Sequence, residues 1–238
     1  MLSTISEMDP LLIAAAVIPA VVLMIKVYRA DRLEREPVGL LLSLLGFGVL
    51  ATALAIVTET IGDAVLLAIF DEDDLGYLVL SNFLVVALSE EGFKFLLLRW
   101  RTWRSPHFNC QFDGVVYAVF VSLGFALWEN IGYVAMYGFG TALARAVTAV
   151  PGHACFGVFM GVWYGAARRY ANYGDLTGAR ICRRRALWAP VFIHGLYDFL
   201  ASLNFDYSGL IFIAFIVVVF LVAMRRVKIV SRNDRYIA

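Results

Sequence analysis

Long apolar runs limit what this chain can fold into more than any other feature. Seven stretches are close to the length that a helix needs to cross a bilayer, about 20 residues. They cover residues 11–27, 38–57, 75–98, 114–136, 146–167, 186–203 and 210–224. Hydrophobic residues make up 61% of the chain, more than a soluble domain can bury. We therefore predict an all-α, polytopic bundle of about seven transmembrane helices, forming a single membrane-embedded domain over residues 1–238.

Two segments fall outside these runs. Residues 59–74, ETIGDAVLLAIFDEDD, contain a shorter apolar piece. The sequence leaves open whether this piece forms a loop, an interfacial helix or an eighth, re-entrant element. The N-terminal stretch MLSTISEMDP carries Glu7 and Asp9 and lacks the basic region of a secretory signal peptide. We therefore expect the first apolar run to be retained as a membrane span.

Basic residues concentrate on alternate connections between the predicted spans. All of the 20 lysines and arginines except Lys94 and Arg145 lie in or beside the connections after the first, third and fifth spans, or in the tail. The acidic cluster at 71–74 lies on the opposite side. Lysine and arginine are enriched in cytoplasmic loops, so this pattern predicts an outside N-terminus and a cytoplasmic C-terminus. We expect a multi-pass protein of a bacterial or archaeal plasma membrane.

Ionisable residues inside the predicted spans need an explanation, because each one costs roughly 2.5 to 3.5 kcal/mol at the centre of a membrane helix. Four spans contain such residues. They are Glu90, Glu91 and Lys94 in the third span, Glu129 in the fourth, His153 in the fifth, and His194 and Asp198 in the sixth. Any one of them could be structural, as a neutralising ion pair or an interhelical hydrogen bond. As a set on four helices they indicate a functional site.

The same residues are predicted to share a depth in the membrane. Trp100, among arginines, marks an interface, and Glu90 lies ten residues before it, about 15 Å into a core roughly 30 Å thick. His194 lies near the middle of its span. Glu90 and Lys94 are spaced i,i+4 and share a helix face, as do His194 and Asp198. The spacing therefore predicts a polar layer near the membrane midplane.

A stripe of small residues on the fifth span points to packing instead of chemistry. Gly157, Gly161 and Gly165 recur at every fourth position. Such spacing lets a neighbouring helix approach closely. We expect this contact to help bring His153 near the other spans.

Carboxylates and histidines gathered in a membrane can activate water, or they can pass protons and ions. A carboxylate that exchanges a proton near neutral pH is a competent general base. Glu129, His153 and His194 offer a divalent metal three ligands and leave a fourth place for water. The alternatives are a proton- or ion-coupled transporter that uses the same buried charges, and a non-catalytic membrane scaffold. The zinc-protease motif His-Glu-x-x-His is absent.

The order of these motifs resembles the PrsW family of intramembrane proteases, which is similar to the group of type II CAAX prenyl endopeptidases and bacteriocin-processing enzymes. The family pattern is Glu-Glu-x-x-Lys, Phe-x-x-x-Glu, a lone His and His-x-x-x-Asp on successive helices. EEGFK, FALWE and HGLYD match it, with a His-containing helix between the last two. The matching residues are Glu90, Glu91, Lys94, Phe125, Glu129, His153, His194 and Asp198.

The resemblance implies hydrolysis of a peptide bond in or near the membrane. Glu90 or Glu91 is then expected to activate the attacking water. Glu129, His153 and His194 are expected to bind a metal, Zn²⁺ or another divalent ion, or the oxyanion if the mechanism is metal-free. No other cofactor is expected.

The remaining motif residues are expected to support this chemistry. Asp198, part of the catalytic set, orients His194, and Lys94 stabilises the glutamate pair. Phe125 shares a helix face with Glu129. The catalytic core is expected over about residues 75–203. The resemblance further implies a single-span membrane protein as substrate, for example an anti-sigma-factor-like protein, with the lipid bilayer and no nucleic acid as other partners.

Overall fold

The computed structural model describes residues 9–237, which contain seven long helices and one short helix. Their bounds are α1 Pro10–Ala30, α2 Val38–Leu67, α3 Leu75–Thr102, α4 Asp113–Tyr137, α5 Phe139–Val147, α6 Ala149–Asn172, α7 Leu176–Ser202 and α8 Ser208–Arg232. The predicted all-α membrane bundle is confirmed. The acidic start of the chain through residue 8, which we expected to precede a retained span, lies outside the described residues.

Six segments of the described chain are long and apolar enough to cross a membrane: α1, α2, α3, α4, the consecutive helices α5 and α6 taken together, and α8. The seventh long helix, α7, has 27 residues and therefore the necessary length. Its arginine-rich start, the buried His194 and the partly buried Asp198 lower its hydropathy. His194 and Asp198, which the sequence motifs assign to the functional site, are thus among the residues that lower the hydropathy of α7.

Helix α4 is the centre of the bundle. In its most apolar stretch 78% of the residues are buried, whereas the corresponding value for α8 is 11%. Glycines allow neighbours to reach its backbone. A Cβ atom at Gly124 would lie 2.3 Å from the backbone oxygen of Leu45 in α2, and one at Gly161 in α6 would lie 2.5 Å from the backbone oxygen of Gly114. The glycine stripe of α6 therefore packs on α4, as its spacing indicates.

The segment at residues 59–74 is mostly helix. Helix α2 continues to Leu67 and has 30 residues, ten more than the predicted span. The sequence suggested an end near Val57, because Thr58, Glu59 and Thr60 follow it. The two threonines instead return their hydroxyl hydrogen bonds to carbonyl groups one turn earlier, so the helix continues through this polar stretch. The segment is thus neither a loop throughout, nor a separate interfacial helix, nor an eighth span.

One end of the bundle gathers the connections that carry the basic residues. The tail after α8 reaches the α3–α4 connection, where the Ile237 amide donates to the Asn109 carbonyl oxygen at 2.7 Å. The Ser231 hydroxyl donates to the Ala30 carbonyl oxygen at 2.5 Å, at the end of α1. The four basic segments thus lie on one side of the molecule, and that this side faces the cytoplasm stays a prediction.

Acidic side chains are buried at this same end. Asp31 and Glu36, in the α1–α2 connection, are each 4% exposed, and Asp113 at the start of α4 is 0% exposed. Burial, with the Asp234 and Glu34 carboxylates nearby, raises the pKa of Asp31 to about 6. No motif in the sequence pointed to this group.

Candidate active site

A lysine on α3 holds the glutamate pair of the same helix. Lys94 Nζ donates to Glu90 Oε2 at 2.9 Å and to Glu91 Oε1 at 2.8 Å. Lys94 and Glu91 are completely buried, and Glu90 nearly so. An ion pair in such surroundings offsets its desolvation cost only when hydrogen bonds accompany it, as they do here. The two carboxylates therefore share one counter-ion within their own helix.

The start of α3 and the start of α6 contain the local features that position these groups. Residues Ser81–Ala87 of α3 form a π-helical segment, which ends just before the glutamates. Such segments are rare and shift the register of the residues that follow them. The α6 helix begins at Ala149, and Pro151 lies in its first turn, where a missing amide hydrogen is tolerated. His153 therefore lies one turn into α6.

His153 connects Lys94 to α4. Its Nδ1 atom lies 3.2 Å from Lys94 Nζ, and its Nε2 atom lies 2.9 Å from Glu129 Oε2. An ammonium group can only donate, so Nδ1 accepts and a neutral ring carries its proton on Nε2, from where it donates to Glu129. A hydrogen-bonded chain thus runs from α3 through α6 to α4.

Arg145 on the short helix α5 completes the surroundings of Glu129. Its Nη2 atom lies 2.8 Å from Glu129 Oε2, and its Nε atom donates to Asn130 Oδ1 at 3.0 Å. The guanidinium carbon also lies 4.0 Å from the centre of the Tyr133 ring. Glu129, Asn130 and Tyr133, all on α4, thus contact the same guanidinium group. This role was not predicted, because Arg145 falls in a connection between two predicted spans.

His194 on α7 lies between two carboxylates. Its Nδ1 atom makes a hydrogen-bond contact of 3.0 Å with Glu91 Oε1, and its Nε2 atom lies 3.1 Å from Asp198 Oδ2. The second contact has the distance of an ion pair without hydrogen-bond geometry. Because a carboxylate accepts on both sides, an imidazolium satisfies both contacts and a neutral ring only one. Asp198 therefore lies where it can orient His194.

Aromatic rings close the apolar side of the site. Lys94 Nζ lies 3.8 Å from the centre of the buried Phe125 ring, a cation–π contact. The Phe156 ring stacks on His194 with ring centres 4.6 Å apart. The rings exclude water from one side of the charged groups and strengthen the electrostatic contacts among them. Phe125 thus contacts Lys94, although its spacing predicted only that it shares a helix face with Glu129.

A cavity of about 440 Å³ opens beside these groups. Its lining includes the ionisable residues Glu59, Glu90, Glu129, Arg145, His153, His194 and Asp198. Glu91 does not line it and lies behind Glu90. The cavity also reaches Asn82 near the start of α3 and Ser202 at the end of α7. It therefore extends toward the end of the bundle opposite the basic connections.

The structure groups possible metal ligands differently from the sequence expectation. One ligand atom from each of Glu90, Glu91 and His153 lies within 4.8 Å of the others. Glu129 and His194 are not part of this group; the two nitrogens of His194 contact the carboxylates of Glu91 and Asp198. Two carboxylates and an imidazole suit a divalent ion in type and number. Lys94 Nζ already contacts all three residues, so an ion would compete with the ammonium for the same ligand atoms.

Two charged residues of the cavity lining, Glu59 and Arg145, were not identified as site residues from the sequence. Glu59 was assigned to a connection, whereas it lies in α2 and lines the cavity. A charge inside a long apolar stretch was the signal that could have identified it. For Arg145, the signal was its position as the one cation on the otherwise acidic side of the predicted topology.

Comparisons with known proteins agree with this geometry. A sequence model described as PrsW family intramembrane metalloprotease matches residues 36–224. A protein named Protease PrsW from Oceanobacillus iheyensis is 31% identical over 93% of this chain and 97% of its own length. The Geobacillus kaustophilus protein of the same name is 34% identical over 91% of each chain, and that of Bacillus subtilis is 31% identical over 86% and 90%. No solved structure matches the chain.

These matches cover all four motif-bearing helices and most of the rest of the chain. They give no support to a proton- or ion-coupled transporter. The bacterial relatives and the apolar spans place the chain in a bacterial cell membrane as a multi-pass protein. The chain belongs to the PrsW family of intramembrane metalloproteases.

Proposed function

We propose that this protease hydrolyses a peptide bond of a single-span membrane protein with a water molecule activated by Glu90. The observation that carries the proposal is the unequal placement of the two glutamates. Glu90 lines the cavity, whereas Glu91 lies behind it and contacts Lys94 and His194. Water in the cavity can therefore reach Glu90, and Glu91 is a positioning residue.

The chemical step follows from these positions. Glu90 takes a proton from water as the oxygen attacks the scissile carbonyl carbon, and a tetrahedral oxyanion forms. His194, held as an imidazolium between Glu91 and Asp198, supplies positive charge to that oxyanion. Glu90 then passes its proton to the leaving amine, which breaks the C–N bond and yields an acid and an amine.

A divalent metal is compatible with the residues at this site. Glu90, Glu91 and His153 would hold it, and when bound it would polarise the scissile carbonyl group or a water molecule. Lys94 then has to leave the ligand atoms that it occupies. If ion and ammonium compete in this way, Lys94→Met raises metal affinity, and His153→Ala lowers it. Elemental analysis of both purified variants against the parent measures this. Equal metal content in all three proteins would argue against a metal at this place.

The direction of the cavity suggests where the substrate is cut. The cavity extends toward Asn82 and Ser202, at the end of the bundle that the charge pattern predicts to be outside. A membrane-anchored substrate, such as an anti-sigma-factor-like protein, would therefore present a bond on the outer side of the midplane. Its transmembrane segment can remain in lipid while the adjacent stretch enters the cavity.

Replacing each glutamate by glutamine separates the two roles. Glutamine keeps the size and an acceptor oxygen but cannot take the proton. Glu90→Gln should nearly abolish cleavage of a co-expressed single-span substrate, measured as a size change on a gel. Glu91→Gln should leave measurable cleavage, because its amide oxygen still accepts from Lys94. Glu72→Gln, in the exposed α2–α3 connection, is the control. Parental cleavage by Glu90→Gln would refute its role as the base.

A further inference from the structure

A second group of buried carboxylates lies far from the cavity. One oxygen from each of Asp31, Glu36 and Asp113 lies within 4.8 Å of the others. Two of these residues come from the α1–α2 connection and the third begins α4. Asp113 precedes Glu129 on α4 by 16 residues, about 24 Å along the helix. The group is therefore separate from the candidate active site.

Most of the oxygens in this group have no partner. Both Oδ atoms of Asp31, Oε2 of Glu36 and Oδ1 of Asp113 are buried without a hydrogen bond. Of the remaining two oxygens, Asp113 Oδ2 accepts from the backbone amides of Asn109 and Cys110 at 3.0 Å and 2.7 Å. Within residues 9–237, no lysine, arginine or histidine forms a salt bridge with any of the three. The three carboxylates thus lie close together without a basic side chain to balance their charge.

Three buried carboxylates without a cation are costly. Burying an unpaired carboxylate is strongly unfavourable, and a native protein relieves the cost by protonation or with a positive charge. Here carboxylate oxygens from two chain segments lie within 4.8 Å of one another, close enough to share a bound cation. The ligands are all oxygens, which suits hard cations and disfavours metals that prefer thiolate or imidazole ligands.

We propose that Asp31, Glu36 and Asp113 bind a hard divalent cation of the Ca²⁺ or Mg²⁺ class. The cation joins the α1–α2 connection to the start of α4. The tail after α8 docks on the same region, since the Asp234 carboxylate accepts from the Phe112 amide at 2.9 Å. The site therefore links the α1–α2 connection to the start of α4, next to the docked tail, at the end of the bundle opposite the cavity. Its role is structural.

Thermal unfolding of the purified full-length chain in detergent tests the site. After treatment with a chelator, the parent is titrated with CaCl₂, with MgCl₂, or with NaCl at matched ionic strength. A cation that binds only the folded state raises the unfolding temperature with concentration. We expect CaCl₂ or MgCl₂ to do so and NaCl not to, and the more effective salt identifies the ion.

The variants assign the effect to these residues. The side-chain oxygens of Asp31 have no hydrogen-bond partner to lose, so Asp31→Asn breaks no contact within the protein. In this variant the cation concentration that gives half of the full rise in unfolding temperature should increase at least about tenfold, because ligand charge sets affinity at such sites. Glu36→Gln should do the same. The shift should persist in Asp73→Asn, an exposed acidic control, and in His153→Ala, which removes a candidate ligand of the other site.

Other outcomes would overturn the proposal. One is an unchanged titration of Asp31→Asn and Glu36→Gln. Another is a parent that neither shifts nor retains radioactive Ca²⁺ or bound Mg²⁺ after desalting, which would mean that the carboxylates are protonated. The measurements on the parent and on His153→Ala need neither carboxylate variant, so together they decide the question even if Asp31→Asn and Glu36→Gln fail to fold.

Discussion

At the scale of single residues, the charged side chains at the centre of the site, such as Lys94 and His194, each contact more than one partner. Lys94 contacts Glu90, Glu91 and His153, and the Phe125 ring lies against its ammonium group. A side chain held on several sides cannot change rotamer without losing several contacts. The charged groups are therefore oriented before a substrate arrives, which is the condition for electrostatic catalysis.

Arg145 provides a prediction at this scale. Arg145→Met removes the cation beside Glu129 and leaves that carboxylate with His153 alone. We expect cleavage to fall roughly tenfold to hundredfold, because losing one partner of a buried ion pair leaves the other uncompensated. Arg145→Lys keeps the charge without the planar fork and should recover part of the rate. Cleavage assays on both variants measure this. Arg180→Met, an exposed arginine, is the control, and equal rates in Arg145→Met and the control would contradict the prediction.

The sequence predicted the charged residues that lie within recognisable spans and missed those that lie at their edges. Glu90 and His194 stand out because apolar residues surround them on both sides. Glu59 and Arg145 were hidden because each lies next to polar residues or glycine that resemble a connection. The proximity of Glu90 and Glu91 to His153 was not predicted either, because helical spacing cannot say which of two neighbouring helices a ring nitrogen faces; the ligand set Glu129, His153 and His194 stays a prediction.

At the scale of helices, contacts between backbones set the distances in the site. Helix α6 carries His153 and packs on α4, which carries Glu129. The two helices approach closely at Gly161, at the middle of α6 and about two turns after His153. A Cβ atom there would lie 2.5 Å from both the Gly114 carbonyl oxygen and the Val115 Cα atom. No real side chain tolerates such distances, so the helices would have to separate.

Gly161→Ala should therefore affect both stability and activity. Overpacking of this kind costs about 1 to 3 kcal/mol, and separating α6 from α4 lengthens the contact between His153 and Glu129. We expect a lower unfolding temperature in detergent and slower cleavage. Gly140→Ala, where an added Cβ meets nothing within 4 Å, should change neither measurement. If Gly161→Ala behaves like Gly140→Ala, close packing of α4 on α6 does not set the site geometry.

Element boundaries were predictable where composition changes sharply and not where backbone geometry changes alone. The ends of α1 and α3 follow from arginines and from Trp100. The π-helical segment Ser81–Ala87 has no signature in the sequence, since its residues also suit an ordinary α-helix. Helix α5 was missed because Gly138 and Gly140 suggest a loop.

At the scale of the whole molecule, the charge pattern predicts orientation, and the structure adds that the basic connections lie together. Which helices are neighbours could not be predicted. Apolar surfaces that face lipid and apolar surfaces that face another helix have similar composition. A run of leucine and valine therefore does not indicate which helix it packs against. The central place of α4 became evident only from its burial.

The orientation can be measured with cysteine labels in intact cells. A membrane-impermeant maleimide should label Asp73→Cys, between α2 and α3, and should not label Arg184→Cys, near the start of α7. Both positions are exposed. The three native cysteines, Cys110, Cys155 and Cys182, are buried and should add little background. Labelling of Arg184→Cys alone would show that the orientation is reversed.

The pairing of Lys94 with two glutamates of its own helix also bears on how the protein is made. Helix α3 has the lowest mean hydropathy, 1.2, of the six apolar segments. It emerges from the ribosome before α4, α6 and α7 do. Contacts at i+3 and i+4 form as soon as a nascent helix does, within about a microsecond. The translocon therefore receives three charges already joined into a unit of net charge −1, and α3 can partition into lipid without waiting for the helices that later complete the cavity.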